Sequence, residues 1–521
     1  MYIKPITFVT FLFYSLIFSA SATKQHHRPT VTKSQHYLIQ LDPKTNILEF
    51  VPNLLKGALD LLADLIDDLT HLEKRTHPVQ VYETFDINDS FKAISLRIEK
   101  GDLVDRIFDH FDEVLRIVPD DVMDFHLPTP QPLKPRYYMR HTKPKENDKP
   151  NVHARATNTS NPVTAQQLKS PWNLARISEH KLDLSLPYVY PKSSGNGVRV
   201  YIIDDGINKG HKDFNGRVTW GFSAIADDKD NNGGGHGTHV AGIIGGTHYG
   251  VAKDVSMVSV RVLKKNGQGA VSGVLSGLQW AIKDAKKNKK VKSIVNMSLG
   301  VPTMAPSADL LNKAVTAAIE GGLPIIAAAG NSGSDACEFV PGGNPNVFTV
   351  AALDKTDTLD PRSCYGKCVN IAAPGIEIES DYINGKDATT VMSGTSMAAP
   401  HVTGIAALLL HDLPDANPKK LYALLTSIGT KGLIKKNRSK TPNLIAFNNA
   451  VADNSSPAAS NGDKKVPSKK TQPKKKTQPK KKTQPKKKTQ PKKKTQPKKK
   501  TQPKKKPQPK KKPVQKKESS H

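Results

Sequence analysis

Met392-Ser393-Gly394-Thr395-Ser396-Met397-Ala398-Ala399-Pro400-His401-Val402 delivers a serine to the start of an apolar run, Val402 to Leu410, that reads as a buried helix. Pro400 reads as part of that helix's first turn, where a missing N–H costs little. A serine there stands beside unpaired backbone N–H groups and the positive end of the helix dipole. Such a place suits a nucleophile whose reaction builds negative charge next to it. Gly-Thr-Ser alone fits an ordinary helix cap equally well, so its meaning depends on what else the chain supplies.

Three further stretches supply partners. Val200-Tyr201-Ile202-Ile203 runs straight into Asp204-Asp205-Gly206-Ile207, placing Asp204 at the end of a buried strand. Gly233-Gly234-Gly235-His236-Gly237-Thr238-His239-Val240 sets His236 at the start of a small-residue helix. Ala327-Ala328-Ala329-Gly330-Asn331 puts an amide side chain after a third strand. Singly, these are a turn acid, a helix-start imidazole and a turn amide. Together with Ser396 they are an orienting acid, a base, an oxyanion donor and a nucleophile.

The surrounding pattern gives them a frame. Between 166 and 450, strand candidates at Val198–Ile203, Met257–Val262, Ile294–Met297, Pro324–Ala329 and Val347–Ala351 alternate with helices, clearest at Leu275–Ala285 and Ala308–Ile319. That alternation predicts a parallel sheet with helices on both faces, whose strand ends hold the site. Upstream, a strand at His36–Leu41, a helix at Leu54–Leu72 and strands at Val79–Phe85 and Phe91–Ile98 lead to a helix at Leu103–Phe111. A last strand lies within Val114–Phe125, completing the β-α-β-β-α-β order of a small ferredoxin-like unit. Residues 128–165 are a polar, cleavable linker.

Both ends differ from the middle. Lys4, the apolar run Ile6–Phe18 and Ala20-Ser21-Ala22 have the form of a secretory signal over 1–22. The net charge of +31 belongs to the other end, where 27 Lys against one Glu from Lys464 onward carry +26 of it. Six copies of Thr-Gln-Pro-Lys-Lys-Lys, from Thr471 to Lys506, cannot bury enough surface to order themselves, so 451–521 is expected to be a disordered tail. The repeats hold no aromatic residue and therefore no stacking platform for nucleic acid, which is not an expected partner. Retention on an acidic surface, a wall polymer or a membrane, is the functional reading of this tail; a solubilising extension is the bland one. Three cysteines are too few for a disulfide scaffold.

The combined motifs IDDGI at 203–207, HGTHVAG at 236–242, NMSLG at 296–300, AAAGN at 327–331 and GTSMAAPHV at 394–402 closely resemble the subtilases, the subtilisin-like serine proteases. Within them, Asp335-Ala336-Cys337 and Gly366-Lys367-Cys368 resemble the proteinase K and cerevisin branch of fungal type. The resemblance implies Ser396 as nucleophile, His236 as general base, Asp204 as its orienting acid and Asn331 as oxyanion donor. It also implies two edges that pair with an extended substrate, Gly267-Gln268-Gly269 and Ser298-Leu299-Gly300, and a Cys337–Cys368 disulfide with Cys364 left as a thiol. By the same resemblance 23–127 is an inhibitory propeptide, 128–165 holds the activation cleavage (between about Arg136 and Gln167) and 166–450 is the catalytic domain. The implied protein is a secreted or vacuolar endopeptidase acting on protein or peptide substrates, broadly after apolar side chains. It is expected to be monomeric and to need no cofactor for the chemistry. Structural calcium is common in the family, and no ligand set for it is assigned here. An inactive scaffold carrying a working tail is the competing reading, and the complete set of four site residues speaks against it.

Four departures from the family pattern stand out. Asp205 stands where the usual residue is Thr, a feature shared with the kexins, but the sequence after Asn449 is too short and polar for their additional β domain. Val301 replaces a common Gly and is expected to narrow the specificity cleft. Lys264-Lys265 replace acids and favour acidic residues in the substrate. Val240 removes a cysteine that some relatives carry beside the histidine, so thiol reagents are expected not to act there.

Overall fold

The structure is a computed structural model that describes residues 35–63, 77–99, 101–131, 164–226, 231–415 and 417–450. The signal sequence, most of the linker and the Lys-rich tail read from the sequence lie outside the described residues.

Strands β1 (His36–Leu41), β2 (Val79–Ile87), β3 (Phe91–Ile98) and β4 (Val114–Pro119) form an antiparallel sheet in the order β2-β3-β1-β4, with helices α1 (Ile47–Ala63) and α2 (Asp102–His110) between them. The β-α-β-β-α-β order is as expected. Alternation along β1 shows why one sheet serves two layers: Tyr37 and Ile39 pack with α1 and α2, while Leu38 enters the core of the following domain. Helix α1 starts seven residues before the sequence reading. That reading began after Pro52, which removes the N–H owed to the carbonyl of Leu48. Leu48 is 86% exposed, a position where solvent can offset the missing helix bond.

The larger domain is built on nine strands: β8 (Val198–Asp204), β9 (Val218–Ser223), β10 (Ser256–Arg261), β12 (Lys292–Met297), β14 (Ile325–Ala328), β16 (Phe348–Leu353), β17 (Ile371–Pro374), β20 (Thr430–Lys431) and β21 (Leu444–Ile445). Their order is β20-β21-β17-β16-β14-β12-β8-β10-β9, every pair parallel except β20–β21. Four two-stranded pieces join β5 (Met123–Asp124) to β11 (Gln268–Gly269), β6 (Thr164–Gln167) to β7 (Tyr188–Pro191), β13 (Val301–Pro302) to β15 (Phe339–Val340), and β18 (Ile378–Asp381) to β19 (Thr389–Met392). The helices are α3 (Trp172–Ile177), α4 (His236–Gly245), α5 (Val271–Lys287), α6 (Ala308–Glu320), α7 (Thr395–Asp412) and α8 (Pro418–Ile428).

Each central strand is apolar throughout because both its faces are covered. Val198, Val200 and Ile202 of β8 join the core of α4 and α7, whereas Tyr201 and Ile203 join that of α5 and α6. The first domain sits on this second core: Phe85, Phe91, Val118 and Phe125 are buried with residues of α5 and α6. Asp120 accepts the N–H of Ser272 in the first turn of α5 (3.1 Å), and Gln279 of α5 bonds the main chain of Asp86 and Thr84. Helix α7 begins at Thr395, not near Val402, so Pro400 is its sixth residue rather than a first-turn residue. Cys337 and Cys368 are disulfide-bonded with Cα atoms 5.4 Å apart, and Cys364 is free and buried.

Candidate active site

Strand β8 ends on Asp204, and α4 starts on His236. The two meet with Asp204 Oδ1 2.8 Å from His236 Nδ1, both residues buried. The Asp205 N–H donates to the same Asp204 oxygen (2.8 Å), so the carboxylate is held from its own strand end. This contact places the proton of the imidazole on Nδ1 and leaves Nε2 as the basic nitrogen. Nε2 is buried and has no hydrogen-bond partner among the described residues. Burial pulls the imidazole pKa down, but the Asp204 charge, the bond to it and the Asp205 charge outweigh burial and hold it above the ordinary value. His239, three residues on, is the other imidazole of the motif. Its Nε2 lies against the carbonyls of Ile378 and Thr390, and burial, with His236 adding, pushes it down to about 3. The motif therefore contains one usable base.

Asp205 has a role the sequence did not disclose. Its carboxylate accepts the N–H groups of Gly234 (2.8 Å), His236 (3.3 Å) and Gly237 (2.7 Å), satisfying the otherwise orphaned donors at the start of α4. Burial first, then the Asp204 charge, lifts this carboxyl to about 7 against the pull of His236 and the two glycine amides. The glycines around it allow the approach: a Cβ on Gly233 would lie 2.1 Å from the Asp205 carbonyl oxygen.

Ser396 is the second residue of α7. Its Oγ donates to the carbonyl of Ser298 (3.1 Å), just past the end of β12. Asn331 follows β14, and its Oδ1 accepts both the N–H (2.8 Å) and the hydroxyl (3.0 Å) of Thr395. With the oxygen committed, Nδ2 is the free end of the amide, beside the residue that precedes the serine. A Cβ on Gly394 would stand 3.1 Å and 3.2 Å from the two amide heads and 2.9 Å from Pro128, so the close approach at that point requires glycine. Thr395 is a site residue that the Gly-Thr-Ser triplet contained and the sequence reading left without a task.

Of the two expected substrate edges, Gly267-Gln268-Gly269 carries a chain. Gln268 and Gly269 pair antiparallel with Asp124 and Met123, and the Phe125 N–H donates to the Gly267 carbonyl (3.1 Å). Leu127 then lies over Gly267, Pro128 reaches Gly394, and the Gln131 N–H donates to the carbonyl of Val391 (3.0 Å). Residues 123–131 thus run from one edge, past Gly394, two residues before Ser396, to β19. At the second edge Ser298 and Leu299 are buried, and Gly300 lies beside the Val340 carbonyl. Val301 is fully buried, pairs with Val340 and packs in the α5/α6 cluster, which Phe125 also joins. Lys264 and Lys265 are exposed at the head of β11. Among the described residues no group of three His, Cys, Asp or Glu side chains has the spacing to hold a metal, and no helix is long and apolar enough to cross a membrane.

The pattern of the subtilase family matches residues 195–461. The subtilisin-like serine protease Rho m 2.0101 of Rhodotorula mucilaginosa is 42% identical over 300 residues, which cover 54% of this chain and 86% of the relative. Alkaline protease 2 of Aspergillus fumigatus is 41% identical over 308 residues, 55% of this chain and 61% of the relative. The subtilisin-like serine protease Pen ch 18 of Penicillium rubens is 42% identical over 298 residues, so the match spans 59% of that relative's length. A crystal structure of a cold adapted subtilisin-like serine proteinase superposes with a TM-score of 0.50 at 38% identity, over 55% of this chain and 99% of the other. A pattern spanning half of the sequence, and a relative matched over most of its own length, lead to one conclusion: this chain belongs to the subtilase family.

Proposed function

We propose that the chain is a serine endopeptidase made as a zymogen, in which Ser396, His236, Asp204 and Asn331 perform the chemistry. The observation that carries this reading is the 2.8 Å Asp204–His236 contact, which leaves a buried, basic Nε2 unpartnered. Ser396 Oγ turns from the Ser298 carbonyl toward Nε2, gives up its proton there and attacks the peptide carbonyl carbon. Asp204 keeps Nδ1–H oriented and stabilises the imidazolium. The oxyanion receives hydrogen bonds from Asn331 Nδ2 and the Ser396 N–H. His236 then returns the proton to the leaving amine. Water repeats the sequence in reverse to release the acyl group. Every proton in this scheme moves between side chains of the protein, substrate and water.

The first domain is the inhibitor in this proposal. It caps α5, joins the α5/α6 core and lays 123–131 along the edge that a substrate would pair with. Its last stretch, Leu127-Pro128-Thr129-Pro130, offers the nucleophile bonds that proline flanks on one side or the other. Proline has no N–H to pair with an edge and a fixed φ, so this stretch occupies the cleft as a poor substrate. Activation then requires a cut beyond Gln131. Secretion by the N-terminal signal, preference for apolar and acidic residues in the substrate, and retention on an anionic wall or membrane surface by the Lys-rich tail belong to the same proposal.

A fluorophosphonate probe tests it. The mature protein is expected to take up one label, lost in Ser396→Ala, and Ser396→Ala is expected to accumulate as the uncut chain. Failure of the mature wild-type protein to label at Ser396 refutes the endopeptidase reading, and normal processing of pure Ser396→Ala protein refutes self-activation.

A further inference from the structure

Pro400 is the sixth residue of α7. In a helix the N–H of each residue bonds the carbonyl four residues earlier, so proline here deprives one carbonyl of its donor, that of Ser396 itself. Ser396 is only 3% exposed, and water cannot stand in as it can at Pro52 of α1. The missing donor comes from a different element. The Ser298 hydroxyl, just past β12, donates to the Ser396 carbonyl at 3.0 Å.

A hydroxyl has one proton and could send it elsewhere, but its neighbours fix the direction. Asn296 Nδ2 donates into Ser298 Oγ (3.0 Å), so that oxygen is already an acceptor and its own proton is directed to Ser396. The Asn296 amide is oriented in turn by the Thr403 hydroxyl, which lies 2.8 Å from its Oδ1 and comes from α7, two turns beyond the nucleophile. Asn296, Ser298 and Thr403 are all fully buried. The link is also reciprocal, since the Ser396 hydroxyl donates to the Ser298 carbonyl (3.1 Å).

We propose that Ser298 is a positioning residue whose hydroxyl replaces the helix N–H that Pro400 withdraws, fixing the peptide plane after Ser396 and through it the direction of the nucleophile's Cα–Cβ bond. The proposal rests on the endopeptidase reading and goes beyond the expected part of Ser298 as a main-chain edge for substrate. Pro400 and Ser298 are two halves of one device. The proline removes the competing donor, and the serine ties the nucleophile to the strand end rather than to its own helix. Asn296 and Thr403 hold the serine's proton in place.

The device predicts a rescue that two independent structural residues would not give. Ser298→Ala leaves the Ser396 carbonyl without a donor, and Pro400→Ala supplies a main-chain N–H to the same atom. In full-length protein after maturation, Ser298→Ala is expected to lower kcat on a small peptide substrate about tenfold with KM changed less than about twofold, since the side chain acts on the nucleophile and not on bound substrate. The rate of fluorophosphonate labelling is expected to fall in parallel. Pro400→Ala, Ser298→Ala together are expected to return kcat to within about threefold of Pro400→Ala alone. Should Ser298→Ala fail to mature, Ser298→Cys, which keeps a weaker donor, and the double variant give the same comparison. A double variant no faster than Ser298→Ala, or an unchanged kcat in Ser298→Ala, overturns the proposal. An inactive wild-type protein instead defeats the endopeptidase reading, so the two failures are distinguishable.

Discussion

Asp205→Asn is expected to move the acid limb of the kcat/KM profile to lower pH by about one unit. In the proposed mechanism neutral His236 is the base, so activity is lost as pH falls through the imidazole pKa. That pKa is held up, after the opposing effect of burial, by the charge of Asp204, by their hydrogen bond and by the charge of Asp205. The Asp205 carboxylate lies 3.3 Å from the main-chain N of His236. At a separation of about 6 Å and an effective dielectric of about 20, a unit charge contributes about 2.8 kcal/mol, or about two pKa units. Asp205 itself is lifted to about 7, so it is only partly ionised near neutral pH, and the expected shift is cut to about one unit. Asp204, the Gly234 and Gly237 amides and Tyr382, whose hydroxyl donates to the Gly234 carbonyl at 3.1 Å, are the other groups facing this pair. Asp205 and His236 act on each other's charge, so the limb reports the pair rather than either group alone. Asparagine cannot accept three N–H groups, so the plateau falls and stability drops by about 1–2 kcal/mol. The comparison is therefore made on profiles normalised to their own plateaus, with a small chromogenic peptide at constant ionic strength. A second readout is the pH dependence of stability. The native state keeps a proton on Asp205 that the unfolded chain has lost, so stability declines as pH rises from the ordinary value of 3.8 to about 7, and the variant flattens this decline. An acid limb that stays in place or moves upward refutes the reasoning.

The remaining predictions concern other parts of the chain. Pro128→Ala, Pro130→Ala turns the stretch across the cleft into a substrate, and mass spectrometry is expected to find new termini between Leu127 and Gln131; an equally intact stretch refutes protection by proline. Thiol titration of denatured, unreduced protein is expected to read one thiol, and Cys337→Ser, Cys368→Ser, which opens a loop with a sequence separation of 31, to cost about 3.7 kcal/mol in denaturant unfolding by the loop-closure relation. Asp357→Ala strands the Arg176 guanidinium, which is buried and bonded to it at 2.7 Å, and is expected to cost about 3–5 kcal/mol; a loss below about 1 kcal/mol contradicts the pairing. Deleting 464–521 is expected to leave small-substrate activity unchanged and to abolish low-salt retention on anionic wall or vesicle fractions, since exposed charges act within about 8 Å at physiological salt. Identical partitioning of the two forms refutes retention by the tail.

The sequence revealed most where local chemistry and tertiary structure agree. The five strand candidates of the larger domain all form, because Val, Ile and Ala runs bounded by Gly and Asp suit strands covered on both faces. His236, Asn331 and Asp204 stand where their motifs suggested, since each motif marks the end of a strand or the beginning of a helix. What stayed hidden depended on partners distant in sequence. The start of α7 was misplaced because proline is normally a first-turn marker, and the hydroxyl that makes an internal Pro400 tolerable comes from Ser298. The start of α1 was misplaced for the same kind of reason, an internal Pro52 in a solvent-exposed first turn. Asp205 registered only as a departure from Thr; its three N–H partners belong to the Gly234–Gly237 turn and cannot be seen from the Asp-Asp-Gly triplet.

Sixteen of the eighteen residues of α7, Thr395 through Leu410, are buried. A helix with one wet face can fray or lift while the rest of the molecule stays folded, but this one has no such face over its first four turns. The backbone around Ser396 therefore opens only when the sheet and the helices over it come apart together, and its amides should exchange with solvent at the rate of global unfolding. On the endopeptidase reading proposed above, this matters to the protein's own survival. The segment proposed to do the cutting is then the one its sister molecules can least readily cut, and self-digestion begins at the rim of the fold, far from Ser396.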